Sequence, residues 1–595
     1  MCSSDLLSTV SWPELQHQVE ALAASLAALG VGAGDRVVAF LPNRPDTIVA
    51  FLACASLGAV WSLCSPDMGP VAVLDRFRQI EPAVLITVDG YRFGGQDHDR
   101  RAVAAELVAG LPTLRHVVTL PLLGGPPVAT GAVPRHDWAS LLATSARQAP
   151  TPLPFDHPLW VVYSSGTTGL PKPIVHGHGG IVLEALKLGV LHNDLGASAD
   201  TGERFHWYSA TGWIMWNCQV AGLLGGTTVC LFDGSPAGPQ GAPDWSTLWR
   251  FAGLAGCTFF GAGAAFYASC QKAGVQPTSV ADLRALRAIG STGSPLSEDS
   301  YRWIWASLPR VDEQAIWIAC ISGGTDFAGA FIAGCPDLPL RAGEMQCRCL
   351  GARVEAWSEA DAQGRGRPLL DEVGELVCTA PMPSMPLRLW NDPGGRRLHE
   401  SYFDMYPGVW RHGDWLRLVP HPEDGAAGAT GAVIYGRSDA TINRHGVRMG
   451  TSELYRAVEA EADVIDSLVV DLEYLGRESF MPLFVVLRDG RTLDEALVAR
   501  LKSAIREALS PRHVPNAVLQ VPAIPRTLSG KKMELPVKKL LMGADPARVM
   551  ARDAMANAAA VDWFVEYAAR LQRAATTRTE AGSGSGSESK RSAPQ

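Results

Sequence analysis

Ten residues in the N-terminal half of the chain, 163–172, combine the groups that could bind a polyphosphate. They read YSSGTTGLPK and follow the apolar run 159–163, which predicts a strand. Glycines let backbone N–H groups approach phosphate oxygens closely, hydroxyls donate hydrogen bonds, and a lysine supplies a mobile cation. Pro173 follows Lys172 where a Walker P-loop has Ser or Thr, so we expect nucleotide chemistry other than ordinary P-loop hydrolysis. A flexible polar turn is the alternative, but it would not explain the Pro171-Lys172 ending.

Two further apolar runs end in polar loops. Residues 285–290 predict a strand that ends in STGSP at 291–295, and residues 315–321 predict one that ends in SGGTD at 322–326. Ligands of open parallel sheets lie outside the carboxyl ends of the strands. We therefore expect the three loops to meet at one crevice.

The elements that must position these loops alternate between strands and helices. Apolar residues fall on one helical face over residues 11–29, a strand follows at 35–41, and a helix follows at 47–57. Such alternation predicts a parallel sheet with helices on its faces. The fold class is therefore α/β, with a large N-terminal domain of parallel-rich sheets, flanking helices and a small β segment, and then a small C-terminal α+β domain.

The domain bounds follow from shifts in pattern along the chain. We predict a large domain at 1–436 and a small C-terminal domain at 437–545, because short β elements end near Arg437 and a separate α/β unit follows. Residues 546–575 predict a helical extension. The Gly-Ser-rich residues 576–595 predict a disordered tail.

Composition and charge exclude several classes of protein. A net charge of -8 argues against a general nucleic-acid binder, which needs Lys and Arg to neutralise phosphates. The twelve cysteines are scattered, and no secretory signal is visible at the N-terminus, so we expect reduced thiols in a cytoplasmic protein. The uncharged run 47–66 is long enough to span a bilayer, but polar residues interrupt it. We predict a buried helix running into a buried strand there, without membrane insertion.

Five sequence stretches in order resemble the adenylate-forming superfamily of acyl-CoA synthetases over about residues 10–545, and among its members they resemble most those that act on acetoacetate. The stretches are YSSGTTGLPKPIVHGHGGIVLE, ATGW with MWN, ISGGTD, RHGDW and SGKKMELPVKK. The resemblance implies the adenylate-forming enzyme fold. It also implies the small-molecule substrates ATP, acetoacetate and coenzyme A, with Mg²⁺ as the metal.

The same resemblance assigns roles to residues of the large domain. The β and γ phosphates of ATP would be held by Ser164, Ser165, Gly166, Thr167, Thr168, Gly169 and Lys172. Gly293, Ser294 and Pro295 would lie near the adenine. Thr325 would contact the α-phosphate, and Asp326 would stand at the magnesium position. Asp414 would accept both ribose hydroxyls, which suits an acceptor-only carboxylate.

Residues near and beyond the domain boundary also receive roles from the resemblance. Arg437 would meet phosphate and ribose, Asp439 would be the hinge of the small domain, and the Gly446 loop would face CoA. Lys531 resembles the catalytic lysine of the family. Arg448 is assigned to the nucleotide site, with a structural salt bridge as an equal alternative.

The acyl substrate is predicted from two positions. The turn around Trp213 is the best candidate for a pocket wall, and Gly323 stands where acetyl-specific relatives carry Trp. Removal of an indole leaves room for a larger acid, consistent with a four-carbon oxoacid, although a methylene is discriminated by only about 1–3 kcal/mol. Another short-chain or medium-chain acid stays open. The family usually has a longer N-terminal region before the segment that begins here at Thr9, so an N-terminally truncated, nucleotide-binding remnant of impaired activity also stays open.

Overall fold

A computed structural model describes residues 7–164, 170–424, 429–438, 442–444, 447–449, 451–472, 480–508, 513–528 and 530–583. The chain forms two compact units, Met1–Tyr435 and Gly436–Gln595.

The first sheet of the large unit has eight strands and carries the phosphate loop. Its central strands are parallel and buried, because Val, Ile and Leu dominate them and helices cover the faces. The helix Pro45–Leu57 leads into the strand Val60–Cys64 through Gly58 at φ 71°, which confirms the predicted buried helix and strand at 47–66. In spatial order the strands are Arg388–Leu389, Lys172–Gly177, Pro158–Ser164, Val60–Cys64, Arg36–Phe40, Val84–Val88, His116–Leu120 and Arg135–Asp137.

A second sheet of five strands is parallel throughout. Its core includes the large aromatic side chains of Trp207, Phe259 and Phe260. The strands are, in spatial order, Thr228–Val229, Arg204–Trp207, Phe259–Gly263, Ala288–Thr292 and Trp317–Cys320. Together the two sheets confirm the predicted α/β class with parallel-rich sheets.

Three antiparallel groups complete the strands of this unit. A three-stranded sheet consists of Ser322–Gly324, Gly329–Ala333 and Cys347–Arg348. A five-stranded sheet contains Pro368–Leu369, Val354–Trp357, Val373–Cys378, Trp410–Pro420 and Thr430–Arg437, the last of which runs into the small unit. A separate hairpin pairs Gly90–Phe93 with Gln96–Asp99. The small β segment predicted after residue 375 corresponds to the five-stranded sheet.

Helices flank the sheets of the large unit. The first begins after Ser11, whose hydroxyl accepts a hydrogen bond from the Glu14 backbone N–H. The α-helices are Trp12–Ala28, Pro45–Leu57, Pro70–Phe77, Arg101–Gly110, Trp138–Leu142, His178–Leu186, Ser198–Thr201, Ile214–Ala221, Thr247–Ala255, Ala264–Lys272, Pro277–Val280, Glu298–Ser307 and Arg396–Tyr402, and a π-helix spans Lys187–His192.

The small unit contains a three-stranded sheet of Val464–Val469, Pro482–Leu487 and Ala517–Gln520, and a hairpin of Ile442–Arg444 with Val447–Met449. Its α-helices are Thr451–Glu459, Glu495–Ala508, Glu534–Leu541, Pro546–Val549 and Ala560–Ser583. The last helix differs from the predicted extension and tail. Val561 and Phe564 pack in one apolar cluster with Leu468 and Phe484, because the helix has an apolar face that the sheet can bury, and the helix runs to Ser583.

None of the helices in the described part of the chain combines the length and the apolarity that crossing a bilayer requires.

Candidate functional site

The phosphate loop closes a β-hairpin. The strands Pro158–Ser164 and Lys172–Gly177 are antiparallel, and Ser164 pairs directly with Lys172. The sequence predicted the first strand but not the second, and it placed a helix soon after the loop. Ser165, Gly166, Thr167, Thr168 and Gly169 lie outside the described residues. The two residues that flank the loop are nevertheless fixed side by side by the strand pairing.

The Asp326 carboxylate contacts polar groups at both ends of the phosphate loop. Its Oδ1 accepts a hydrogen bond of 3.0 Å from the Ser164 hydroxyl and lies 3.4 Å from Nζ of Lys172. The Tyr402 hydroxyl donates to the same oxygen, and Lys172 donates to that hydroxyl at 3.0 Å. Three residues that the sequence singled out, Ser164, Lys172 and Asp326, are therefore brought together. The site has hydroxyls, one carboxylate and one cation within hydrogen-bond distance of each other.

Tyr402 is a member of this network that the sequence did not indicate. It is the last residue of the helix Arg396–Tyr402, and its ring stacks on Trp410 with centroids 3.8 Å apart. The Lys172 ammonium also lies 4.5 Å from the ring centroid, a cation–π contact. The stacking fixes the ring, so the hydroxyl has one position between the ammonium and the carboxylate.

Thr325 and Asp326 lie at the tip of a second hairpin rather than in an irregular loop, because Ser322–Gly324 pairs with Gly329–Ala333. His176 and Glu184 hold this hairpin from the segment that follows the phosphate loop. His176 Nδ1 accepts a hydrogen bond from the Trp160 indole, so Nε2 carries the proton and donates to the Asp326 carbonyl at 3.0 Å. Burial lowers the pKa of His176 to about 4, which keeps the ring neutral in this role.

The Glu184 carboxylate accepts a hydrogen bond of 3.0 Å from the Ala330 backbone N–H, and Lys187 donates to it at 2.7 Å. A Cβ at Gly329 would lie 2.3 Å from the same carboxylate, so only glycine allows this approach. The helix after the phosphate loop therefore anchors the base of the Asp326 hairpin.

The loop predicted to lie near adenine meets the same region. Thr292 donates a hydrogen bond of 2.6 Å to the Ile321 carbonyl, which ties the end of one strand to the end of the next. Gly293 has φ 90°, a conformation that favours glycine, and a Cβ there would lie 3.6 Å from the Trp213 ring. Ser294 and Pro295 are exposed. The structure thus brings together the ends of the three predicted strands, with Trp213 beside one of them.

Asp414 is connected to the Asp326 hairpin through His412. The His412 Nε2 lies 3.5 Å from an Asp414 oxygen, and its ring packs edge-on against Phe331 at 4.8 Å between centroids. A Cβ at Gly324 would lie 2.5 Å from His412 and 3.6 Å from an Asp326 oxygen. The glycine therefore lets the hairpin approach the strand that carries the predicted ribose carboxylate.

Gly323 is packed so closely that no side chain fits on the backbone as it stands. A Cβ there would lie 2.0 Å from the carbonyl oxygen of Gly329 in the paired strand. This contact is between backbone atoms, so a larger residue requires the strand itself to move. The backbone pairing of the hairpin therefore requires glycine at this position.

A cavity lies beside this hairpin. Its lining residues include Ile321, which precedes Thr325, and Ala328, which follows it. They also include Ile214 and Met215, which directly follow Trp213. Most of its wall is apolar, with a few polar side chains. Such a composition is typical of a site for a small organic molecule.

The remaining predicted residues belong to the small unit. Arg437 ends the strand Thr430–Arg437, and Arg448 lies in the strand Val447–Met449. Asp439 and Gly446 lie outside the described residues. Lys531 is exposed and follows a turn in which the Thr527 hydroxyl accepts a hydrogen bond of 3.1 Å from the Lys531 backbone N–H. Their assigned roles stay predictions.

No group of three or more His, Cys, Asp or Glu side chains within the described residues could hold a metal ion by itself. Magnesium, however, is commonly bound by one or two carboxylates together with phosphate oxygens and water. An oxygen-rich site with the single carboxylate of Asp326 fits that pattern.

Comparison with known proteins identifies the family. A family model described as AMP-binding enzyme matches residues 3–381. The chain belongs to this family. Curated relatives of this AMP-binding enzyme include the acetoacetyl-coenzyme A synthetase of Rhizobium meliloti (strain 1021), 41% identical over 93% of this chain and 81% of the relative. The acetoacetyl-CoA synthetase of Gallus gallus is 38% identical over 93% of this chain and 80% of the relative.

Solved structures agree with the family. The AMP-binding enzyme matches an acetoacetyl-CoA synthetase from Streptomyces lividans with a TM-score of 0.86 and 49% identity, over 95% of this chain and 83% of that one. It also matches the anthranilate CoA ligase AuaEII in complex with anthranoyl-AMP, with a TM-score of 0.69 and 19% identity, over 87% and 90% of the two chains. The second match bears on the fold alone. The predicted resemblance to adenylate-forming acyl-CoA synthetases is confirmed.

Proposed function

We propose that the protein joins acetoacetate to coenzyme A with ATP, through an acetoacetyl-adenylate, and releases AMP and pyrophosphate. The observation that carries this proposal is similarity to acetoacetyl-CoA synthetases along nearly the whole chain, at 41% identity over 93% of its residues. In the first step the substrate carboxylate attacks the α-phosphorus of ATP, and pyrophosphate leaves. In the second step the CoA thiol attacks the acyl carbon, and AMP leaves.

The first step brings two anions together, so catalysis is mainly positioning and charge neutralisation. Lys172 and Ser164 flank the phosphate loop and direct an ammonium and a hydroxyl to one point beside Asp326. At 4 Å and an effective dielectric constant near 20, one charge pair is worth roughly 4 kcal/mol. Expressed only in the transition state, that is about a thousandfold in rate.

Binding of ATP requires the contact between Lys172 and Asp326 to rearrange. In the structure the ammonium is 3.4 Å from the carboxylate and is also held by Tyr402. We propose that Lys172 turns to the phosphates of ATP while Tyr402 retains Asp326. Mg²⁺ bound by Asp326 would neutralise phosphate charge, which the oxygen donors Asp326, Ser164 and Tyr402 suit.

The small unit contributes Lys531 in this proposal. Its ammonium would stabilise the charge that develops at the α-phosphate in adenylation, as its motif implies. Asp439 would be the hinge, and the Gly446 loop would serve the thioester step. Arg437, Arg448 and Asp414 would bind the nucleotide, with Gly293, Ser294 and Pro295 beside its base.

The choice of acid is attributed to the cavity beside Gly323. A side chain at this position would reach toward the acyl group in acetyl-specific relatives, whereas here the paired backbone of Gly329 excludes one. The cavity beside the hairpin, with its mostly apolar wall, is the proposed site of the acyl chain.

A panel of acids tests the proposal. Pyrophosphate release and thioester formation are measured with acetate, propionate, butyrate, acetoacetate and 3-hydroxybutyrate at equal concentrations of ATP-Mg and CoA. We expect the highest kcat/KM with acetoacetate. A higher value with a simple acid would overturn the substrate, and no turnover with any of the acids would overturn the enzyme class.

A further inference from the structure

The cavity beside the Asp326 hairpin contains two buried polar groups without a partner. Asn193 and Trp207 both line it, and their exposed fractions are 4% and 0%. The Asn193 Oδ1 and the Trp207 Nε1 have no hydrogen-bond partner in the described chain. Burial of an unsatisfied polar group is costly, so each such group in a native protein calls for an explanation, of which binding of a ligand is one.

Apart from these two groups, the paired carboxylate of Glu184 and the amide of Asn217, most of the cavity wall is apolar. Leu188, Leu195, Phe205 and Met215 are among its lining residues, and each is almost fully buried. In such a wall a hydrogen-bonding group discriminates strongly, because a ligand without a matching polar atom leaves it unpaired. The two groups are thus suited to select a ligand by one polar atom within an apolar body.

Asn193 is held in place by its chain neighbours on both sides. It ends the π-helix Lys187–His192, and its backbone N–H donates to the Leu188 carbonyl at 2.9 Å. π-Helical turns within helices occur frequently at functional sites. His192 Nε2 accepts from the Leu350 N–H at 3.0 Å, and Nδ1 donates to the Gly334 carbonyl at 2.9 Å.

The next residue, Asp194, has φ 53° and is bound by Arg287, which also pairs with Glu203 at 2.5 Å. Both neighbours of Asn193 are therefore fixed by contacts that involve other elements. The backbone position of Asn193 is therefore fixed, while its side-chain oxygen has no partner and is open to a ligand.

Trp207 presents its N–H from the second sheet. The benzo edge of the indole lies against Gly261 and Gly290, where a Cβ would come within 2.4 Å of the ring. The ring is therefore confined between the two glycines and the cavity. Indole Nε1–H is a donor only, so it requires an acceptor such as a carbonyl oxygen.

We propose that the Trp207 indole N–H and the Asn193 amide recognise the 3-oxo group of the acyl substrate. The 3-oxo oxygen accepts two hydrogen bonds, one from the indole and one from the amide, which can present its N–H by a half-turn about its last bond. Butyrate has the same length but a methylene at this carbon, so it would leave both donors unpaired. This inference rests on the proposed function and adds the residues that read the oxo group.

The test compares two acids in wild type and variants of the full chain. The kcat/KM for acetoacetate and for butyrate is measured by pyrophosphate release with CoA in wild type, Asn193→Leu and Trp207→Phe. We expect Asn193→Leu to lower the value for acetoacetate about tenfold or more, the usual effect of an unsatisfied polar group, and to change butyrate by less than threefold. Trp207→Phe should shift the ratio in the same direction.

Met215→Leu is the matched control, because it alters the wall of the same cavity without removing a polar group. It should affect the two acids equally. Melting temperatures of all variants show whether each is folded, and Trp207→Phe decides the question if Asn193→Leu does not fold.

The outcomes separate the inference from the proposed function. A wild-type enzyme that prefers acetoacetate, with an unchanged ratio in either folded variant, overturns the inference alone. Equal losses for both acids would mean a structural role and would also overturn it. A wild-type enzyme without acetoacetate-dependent turnover overturns the proposed function instead.

Discussion

The Nζ of Lys172 lies 3.4 Å from Oδ1 of Asp326, across two hairpins that belong to different sheets. The pair is partly buried, with side-chain exposures of 22% and 18%. The triphosphate of ATP offers the Lys172 ammonium more negatively charged oxygens than the single Asp326 carboxylate does. We therefore propose that the contact is a resting position from which the lysine is transferred to substrate.

Lys172→Met should lower the rate of adenylation by about a thousandfold, because roughly 4 kcal/mol of charge stabilisation would be lost. The apolar stem is retained, so the variant should melt near wild type. Exchange of radiolabelled pyrophosphate into ATP measures the step directly. Lys272→Met, at the exposed end of the helix Ala264–Lys272, is the control and should exchange normally. A Lys172 variant with near-normal exchange contradicts the assignment.

Tyr402→Phe removes the hydroxyl that links Lys172 and Asp326 but keeps the ring on Trp410. Hydrogen bonds to charged groups contribute about 1.5–3 kcal/mol, so we expect a loss of about tenfold to a hundredfold in kcat/KM for ATP. The melting temperature should change little because the stacking remains. Kinetics with ATP varied at saturating acid and CoA provide the measurement. Unchanged ATP kinetics would show that the hydroxyl does not organise the site.

Lys172 and Asp326 could be found from sequence because each lies in a short motif that follows an apolar strand. Tyr402 could not, since it lies 230 residues from Lys172 and no local pattern marks it. The strand Lys172–Gly177 was missed for a related reason. It begins KP and ends in Gly, which is poor strand sequence, and only pairing with Pro158–Ser164 stabilises it as a strand.

Parallel strands of the first sheet were easier to predict than the hairpins. Val84–Val88 is fully buried and, apart from Thr87, apolar, so its sequence indicates a strand whichever strands pair with it. The close approach of Gly323 to Gly329, by contrast, depends on a register between two strands that no periodicity encodes. The final helix, Ala560–Ser583, was recognised as helical, but its burial against Phe484 depends on tertiary packing.

Gly323→Trp should destabilise the protein rather than convert it to an acetate enzyme. The new Cβ would lie 2.0 Å from the Gly329 carbonyl, so the paired strand must shift. Overpacking costs about 1–3 kcal/mol or more, and displacement of the Asp326 hairpin should lower activity with every acid. Gly323→Ala tests the backbone contact without the indole. Melting temperatures and the ratio of acetate to acetoacetate turnover are the measurements, and a stable, acetate-preferring Gly323→Trp enzyme would contradict this expectation.

Buried histidines should make stability fall as the pH drops below about 6.5. Burial lowers the pKa of both His176 and His206 from 6.5 to about 4. The unfolded chain takes up these protons near pH 6.5 while the folded chain does so only near pH 4, so stability is lost across that window. Each histidine contributes at most about 3 kcal/mol.

Urea unfolding at pH 7.5, 6.0 and 5.0 measures this loss above the range in which most carboxylates titrate. His206→Phe keeps the packing against Phe251 and Phe260 and should show a smaller loss than wild type. Equal pH dependence in both proteins would mean that His206 is not a source of it.

Substitutions of two adjacent lysines in the small unit should have opposite effects, one on stability and the other on activity. Lys532 lies 2.6 Å from a Glu459 oxygen and 3.1 Å from an Asp466 oxygen, and it lies 3.7 Å from the centroid of the Tyr455 ring. Lys531 is exposed. Lys532→Ala should therefore reduce the free energy of unfolding by about 1–3 kcal/mol, whereas Lys531→Ala should leave it unchanged.

Adenylation activity should be lost in the Lys531 variant and kept in the Lys532 variant. Lys531→Ala should abolish adenylation, measured by pyrophosphate exchange, because its ammonium is assigned to the α-phosphate. Lys532→Ala should retain exchange at temperatures where it is folded. Thioester formation from preformed acetoacetyl-adenylate should survive in Lys531→Ala, since the charge that this lysine neutralises belongs to the first step alone. If wild type and Lys531→Ala exchange pyrophosphate at the same rate, the catalytic assignment of Lys531 is wrong.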